Sequence, residues 1–418
     1  MGFFSKKFSL CAGGLLVALS AVGAQAQNQP PIKVGTSVAQ TGPLAGGGKS
    51  SLLAMQMWRD DVNARGGLLG RKVELVVYDD QGTPANAPGI FTKLIDVDKV
   101  DLLISPYGTN PTAAVLPIIK QRNLLMIGNF AYNNNYKLKH DKYFQVAPWG
   151  ANADAWAGAF IHPGKKLGAK TIAFLAADAE FSQVLAQGAR ELAKKEGLKV
   201  VYDQNYPPST VDFSSMLRSI RAAKPDLVFV ASYPSDSAAI VRSVNELGVG
   251  DSVKMFGGAM VGLHYPAMLQ SLGPMLNGIS NYAHYVPEKT IQFPGINDFL
   301  TRYSVRATAE KIDPLGYYLA PFSYAAGQIL ERAVTATKSL DQKKLADWIR
   351  ANEVPTLVGN IKFGPTGEWA VPRVFETQFQ GIKGKDLEQF RQPGKQPIIY
   401  PEQFKSGELR QPFEKARN

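Results

Sequence analysis

An α/β fold of two lobes, each a mostly parallel sheet flanked by helices and joined by three hinge crossings, is the class this sequence predicts. Residues 32–128 alternate short apolar strands with helical segments, and the same rhythm restarts after a polar run and continues over 151–256. Three further helical segments between 293 and 351 have no strands of their own to cover, so they are assigned to the first lobe. The expected division is a leader over 1–26, a first lobe of 27–147 with 284–357, and a second lobe of 148–283 with 358–418.

The leader comes first. Lys6 and Lys7 precede an apolar run from Phe8 to Val22, then Ala24-Gln25-Ala26 and the polar, proline-containing stretch Gln27–Pro31. That order describes a secretory signal peptide cut after Ala26 and predicts export to the periplasm. A membrane anchor would need about 18 apolar residues and a basic flank behind them. Cys11 is the one cysteine of the chain, and Leu10 before it argues against a lipidation site. The processed chain therefore has neither disulfides nor thiolate metal ligands, and its stability must come from its cores. The net charge of +11, or +9 without Lys6 and Lys7, is spread along the chain instead of gathered on one stripe, which speaks against nucleic acid as a partner.

Strand Ile32–Ala39 leads into TGPLAGGGKS, read as a glycine-rich loop, and a helix over Ser50–Ala64 ends at Gly66-Gly67. A strand over Lys72–Tyr78 and a helix over Pro84–Val97 follow. Residues 101–129 then read as a complete β-α-β crossover: strands at 101–105 and 124–127 around a helix from Pro111 to Arg122, with Thr109 or Asn110 as the cap. Its helix start gathers free N–H groups beside Tyr107, Gly108 and Thr109, while the next strand ends in the turn Asn129-Phe130-Ala131-Tyr132. Parallel strands deliver both loops to one sheet edge, so a small-molecule crevice is expected there.

The run NNNYKLKHDK reads as a surface loop and Phe144–Trp149 as an extended crossing. In the second lobe, helices at 151–162, 181–196, 211–223 and 235–247 alternate with strands at 171–176, 199–206, 226–232 and 253–256. Extended Asn277–Val286 returns to the first lobe. Helices follow over 293–312, 317–338 and 342–351, and a hairpin of 358–363 with 373–379 makes the third crossing before a polar, proline-rich tail.

Several motifs invite a catalytic reading and lose it. A P-loop needs glycine five residues before Gly48, where this chain has Pro43, and no strand ends in an acid that would hold magnesium. Asp79 and Asp80 are neighbours on a strand end, so they point apart and serve a turn. The four histidines, His140, His162, His264 and His284, lack metal-ligand spacing, and no serine lies in G-x-S-x-G. No cofactor and no catalysis are expected. Aromatic residues at strand exits and helix starts, Tyr107, Phe130, Tyr132, Phe181 and Tyr233, point instead to a pocket shared by both lobes.

Taken together these segments resemble the periplasmic leucine/isoleucine/valine-type solute-binding proteins, the type I binding proteins of ABC importers. The resemblance runs through Thr41-Gly42-Pro43-Leu44, VNARGGLLGRKVEL, the YDD at 78–80, PYGTN at 106–110, DFSSMLRSI at 212–220, KPDLVFV at 224–230 and GNIKFGPTGEW at 359–369. It implies a monomeric receptor that closes on a solute and delivers it to an inner-membrane permease. It also implies that Thr109 and its neighbours hold a ligand carboxylate, that Phe130–Tyr132 contact the same head group, and that Phe181 and Tyr233 reach it from the second lobe. Two departures stand out. Ala259 falls, within one position, where the family pairs an amino-acid ammonium with an acid, and Gly47 falls where a bulky aromatic can close the pocket. A carboxylate without an α-ammonium, aromatic or otherwise bulky, is the expected ligand, with Asp236 or Glu180 as possible replacements for the acid. The alternatives are a branched-chain amino acid or amide ligand, or a sensory receptor module.

Overall fold

A computed structural model describes residues 29–132 and 135–417; the leader expected over 1–26 lies outside the described residues. The first-lobe strands are β1 (Ile32–Val38), β2 (Val73–Asp79), β3 (Leu102–Ile104), β4 (Met126–Gly128) and β5 (Tyr143–Gln145). They are ordered β2-β1-β3-β4-β5 and pair in parallel throughout. The second lobe holds β6 (Thr171–Ala177), β7 (Lys199–Tyr206), β8 (Leu227–Ser232), β9 (Met255–Met260) and β10 (Ser280–Ala283). After the small hairpin β11 (Glu353–Thr356) and β12 (Gly359–Lys362), β13 (Phe375–Gln378) and β14 (Ile398–Tyr400) complete its sheet in the order β14-β13-β10-β9-β8-β6-β7. The strand β8, LVFVAS, is buried along its whole length, which explains why it reads as an unbroken apolar run rather than an alternating one.

The three late helices, Ile296–Ala309, Ala320–Thr337 and Gln342–Ala351, do return to the first lobe. Helix Ala320–Thr337 lies so close to Ala45–Ala64 that a Cβ on Gly327 would sit 2.1 Å from the Trp58 ring. Buried hydroxyls complete the seam, Ser51 to Ser323 at 2.8 Å and Ser50 to Tyr303 at 2.7 Å.

The chain crosses between the sheets three times, after β5, after β10 and between β12 and β13. Backbone bonds tie the first and third crossings together: the Trp369 N–H donates to the Trp149 carbonyl at 3.3 Å and the Arg373 N–H to that of Pro148 at 2.8 Å. The second is fastened to the first through the Trp149 indole N–H, which donates to His284 Nε2 at 3.1 Å.

Four local expectations are corrected. TGPLAGGGKS is not a loop beyond its first residues, because the helix begins at Ala45 and takes Gly46–Lys49 into its first turns. The expected hairpin of 358–363 with 373–379 does not form: β12 pairs with β11, and β13 pairs antiparallel with β10. The hairpin β11–β12 thus straddles the boundary expected at 357/358. The polar run after Tyr132 is not simply a surface loop, since Asn135 is buried and its amide bonds the carbonyls of His140 and Thr366. The tail supplies an edge strand, β14, that its prolines concealed.

Candidate functional site

A cleft of about 350 Å³ lies between the lobes, at the carboxyl ends of the parallel strands. Tyr107 to Pro111 follow β3, Phe130 follows β4, Ala179 and Phe181 follow β6, Pro208 follows β7, Tyr233 to Ser235 follow β8 and Val261 follows β9. Trp149 enters from the first crossing and Tyr318 from the approach to helix Ala320–Thr337. The parallel topology delivers the loops after β3, β4, β6, β7, β8 and β9 to the cleft.

Three helices begin at this cleft: Thr109–Gln121, Glu180–Lys195 and Pro234–Leu247. Their first N–H groups have no intrahelical acceptors and their dipoles are positive at that end. The start of the first is Gly108, with φ of 97°, rather than Thr109 or Asn110, and it makes no side-chain cap. Thr109 Oγ1 instead accepts the Tyr132 N–H at 2.9 Å, joining the two first-lobe loops.

Phe130 stands at the centre of the aromatic wall. Its φ of 55° is left-handed, a conformation that costs a non-glycine residue roughly 1–2 kcal/mol. The turn delivers the ring edge-on to Trp149, Tyr318, His284 and Phe322, with centroids 5.0–5.2 Å apart. Across the cleft Phe181 meets Tyr233 at 6.3 Å and Trp149 at 6.3 Å. Polar contacts bridge the lobes directly: Asn110 Nδ2 donates to Tyr233 Oη at 3.3 Å, the hydroxyls of Tyr107 and Tyr265 are 3.0 Å apart, and the Tyr282 hydroxyl donates to that of Tyr318 at 3.0 Å. Burial pushes the Tyr107, Tyr265, Tyr282 and Tyr318 hydroxyls well above their ordinary range, so they remain protonated donors.

Of the residues singled out from sequence, Tyr107, Gly108, Thr109, Phe130, Phe181 and Tyr233 line this cleft. The other five do not, and each has a physical reason. Asn129 is fully buried behind the wall, donating to Ser51 Oγ and accepting from Ser323 Oγ, both at 2.9 Å. Ala131 is fully buried, and the Tyr132 ring is turned to stack on Trp149. Ala259 is buried inside β9, and the residue that reaches the cleft there is Val261, just past the strand's end. Gly47 leaves no space open: a Cβ there would meet Tyr107 Cε1 at 2.7 Å, Leu319 Cδ1 at 2.8 Å and Tyr265 Oη at 3.0 Å. The room that its missing side chain vacates is filled from both lobes.

Neither replacement acid reaches the cleft. Asp236 is buried and accepts the Tyr206 hydroxyl at 2.6 Å, its carboxyl pushed up chiefly by burial, and Glu180 is exposed. Among the described residues lining the cleft there is no Asp, Glu, Lys, Arg or His. Sequence reasoning missed Asn110, Trp149, Val261 and Tyr318. Trp149 had a signal, as an aromatic inside an expected crossing; Tyr318 had none, because long-range packing alone brings it to β3 and β4.

Asp79 and Asp80 serve the turn after β2, as expected. Asp79 accepts from Gln40, Thr41 and Gln81, which holds its carboxyl low against the effect of desolvation, while Asp80 takes the Ser37 hydroxyl at 2.6 Å. His264 and His284 belong to the aromatic wall: His264 stacks on Tyr318 at 4.3 Å. Among the described residues there is no acid, histidine or cysteine cluster of metal-site kind, and no helix is long and apolar enough to cross a membrane.

Two hinged α/β lobes around a cleft at their strand ends define a solute receptor rather than a catalyst. The periplasmic binding protein model matches residues 31–381, and the chain belongs to that family, to its Leu/Ile/Val-binding type of ABC-transporter solute-binding proteins, which are not enzymes. It is 24% identical to the Leu/Ile/Val-binding protein of Escherichia coli K12 over 338 residues, covering 81% of this chain and 88% of that one. Among solved structures it is similar to a Rhodopseudomonas palustris ABC-transporter solute-binding protein in complex with 4-hydroxybenzoate, with TM-score 0.72, 20% identity, and coverage of 88% and 95%. It is also similar to a branched-chain amino acid binding protein of Streptococcus pneumoniae in complex with isoleucine, with TM-score 0.70, 19% identity, and coverage of 89% and 100%.

Proposed function

We propose that this receptor captures a planar aromatic carboxylate without an α-ammonium group and hands it to an inner-membrane ABC permease. The single observation that carries the reading is the cleft lining: aromatic rings from both lobes, helix N-termini from both lobes, and no charged side chain among the described residues that line it. An ammonium taken out of water without a counter-charge costs several kcal/mol, and this lining offers none. A carboxylate has partners in the backbone N–H of Asn110, at the start of Thr109–Gln121, and of Ser235, just inside Pro234–Leu247, where Pro234 itself has no N–H to give. Phe130, Trp149, Phe181 and Tyr233 present ring edges and faces against which a planar body packs.

Relatives of the same fold are held in complex with benzoate and 3,4-dihydroxybenzoate in two cases and with isoleucine in another, so the scaffold serves both classes and the lining has to decide. Closure follows from the same geometry. Ligand groups on both walls favour the closed state by the contacts made only there. We place the protein in the periplasm as a monomer, its leader removed after Ala26. The test is calorimetry with benzoate, 4-hydroxybenzoate and leucine, in which the aromatic acids bind and leucine does not; the reverse pattern overturns the reading.

A further inference from the structure

A second groove of about 430 Å³ lies on the other side of the first and third crossings from the cleft. Its walls come from helix Asp154–Lys166 of the second lobe, from β11–β12 of the first, and from the third crossing between them. Trp149 lines the cleft, and its carbonyl accepts from Trp369, which lines the groove. One pair of crossing strands therefore separates the two spaces.

The groove contains what the cleft lacks. Arg373 is held over the Phe293 ring at 4.2 Å and the Trp369 ring at 5.1 Å, and its Nη2 donates to the Val358 carbonyl at 2.7 Å. Its Nε is buried without a hydrogen-bond partner, and among the described residues it forms no ion pair. Burial pulls its pKa down to about 9. An Nε shut off from water and a partly exposed guanidinium left without a carboxylate make a costly arrangement, and buried polar groups without partners in a protein interior call for an account. The acids of the groove, Asp154 and Glu353, are exposed at its rim, where water screens them. Opposite, His162 Nδ1 and the Tyr400 hydroxyl are 3.3 Å apart, a polar pair on the second-lobe wall.

We propose that this groove is a second binding site, taking a small oxyanion (a carboxylate or phosphate group) on the Arg373 guanidinium, with the Tyr400 hydroxyl as a further donor from the other lobe. The planar fork of Arg373 matches such a group bidentately once the anion displaces its solvent. The site does not depend on what the cleft binds.

The experiment titrates the nitrogen-15-labelled mature chain with sodium acetate and, separately, inorganic phosphate at fixed pH and ionic strength, following indole and backbone amide resonances. A saturating shift of the Trp369 indole is expected with at least one of the two anions, and which one responds separates carboxylate from phosphate. Arg373→Gln should weaken that binding about tenfold or more. Tyr400→Phe, which buries no new charge, should weaken it several-fold and serves if the arginine variant does not fold. Shifts that merely follow salt concentration, shifts confined to the Trp149 indole, or binding unchanged in the folded variants would overturn the assignment.

Discussion

Asn110, at the start of a first-lobe helix, donates its side-chain amide to the hydroxyl of Tyr233, at the start of a second-lobe helix, across 3.3 Å. With the Tyr107–Tyr265 pair it forms a polar latch over the cleft. Each neutral contact of this kind is worth only about 0.5–1.5 kcal/mol. The latch biases the hinge, and a ligand must supply the rest.

Asn110→Ala is therefore expected to weaken ligand binding roughly two- to tenfold by relaxing the closed state. Small-angle scattering of the unliganded variant should show larger dimensions than the parent. Unchanged dimensions together with unchanged affinity would mean that the latch does not bias the hinge.

Thr109 and Tyr233 should behave differently, although both line the cleft. Thr109→Ala strands the Tyr132 N–H and should cost about 1–3 kcal/mol of stability before any ligand is added, while Thr109→Ser keeps the acceptor. Tyr233→Ala removes a cleft wall and should weaken binding by about 1–3 kcal/mol with a smaller change in apo melting. Paired melting and calorimetry on the three variants separate these effects.

Gly47→Ala places a methyl against Tyr107, Leu319 and Tyr265. Overpacking of this kind costs about 1–3 kcal/mol. Because Tyr265 belongs to the second lobe, opening relieves its share of the strain, and the closer contacts with Tyr107 and Leu319 are met by shifts within the first lobe. The variant should scatter as a more open molecule and bind more weakly; a more closed or tighter-binding variant would contradict the packing described.

The pH dependence has a definite sign. Burial holds the His264 pKa down to about 3, below the ordinary value of about 6.5 in an unfolded chain. Above about pH 6.5 both states are neutral and nothing is lost; as pH falls the unfolded state binds the proton first, so stability decreases by about 2 kcal/mol at pH 5. Glu376 and Asp80, pushed up by burial, act in the opposite sense, so the comparison must be with His264→Phe, which keeps a ring against Tyr318. The melting temperature of the variant should fall less between pH 7.5 and pH 5 than that of the parent. Parallel curves would refute the assignment.

The fold was legible because parallel strands such as β8 are apolar throughout and helices such as Gln342–Ala351 are strongly amphipathic. Local patterning could not show that β12 would pair backward with β11, since the choice between two short extended partners is made by tertiary contacts. The site was half legible. Residues directly after strands, such as Tyr107 and Tyr233, are placed by topology, whereas Tyr318 arrives from a distant segment and Asn129 turns inward to bond two helices. The consequence for ligand charge survives a change of residue: Ala259 is buried, and Val261, which takes its place at the cleft, carries no charge either.

Calorimetric titration of the purified mature chain with 4-hydroxybenzoate, benzoate and leucine tests the central claim most directly, because the aromatic acids and the amino acid differ in the ammonium that the cleft cannot meet. Saturable binding of at least one aromatic acid with no heat from leucine is the predicted result. Tight leucine binding with no response to the aromatic acids would contradict it.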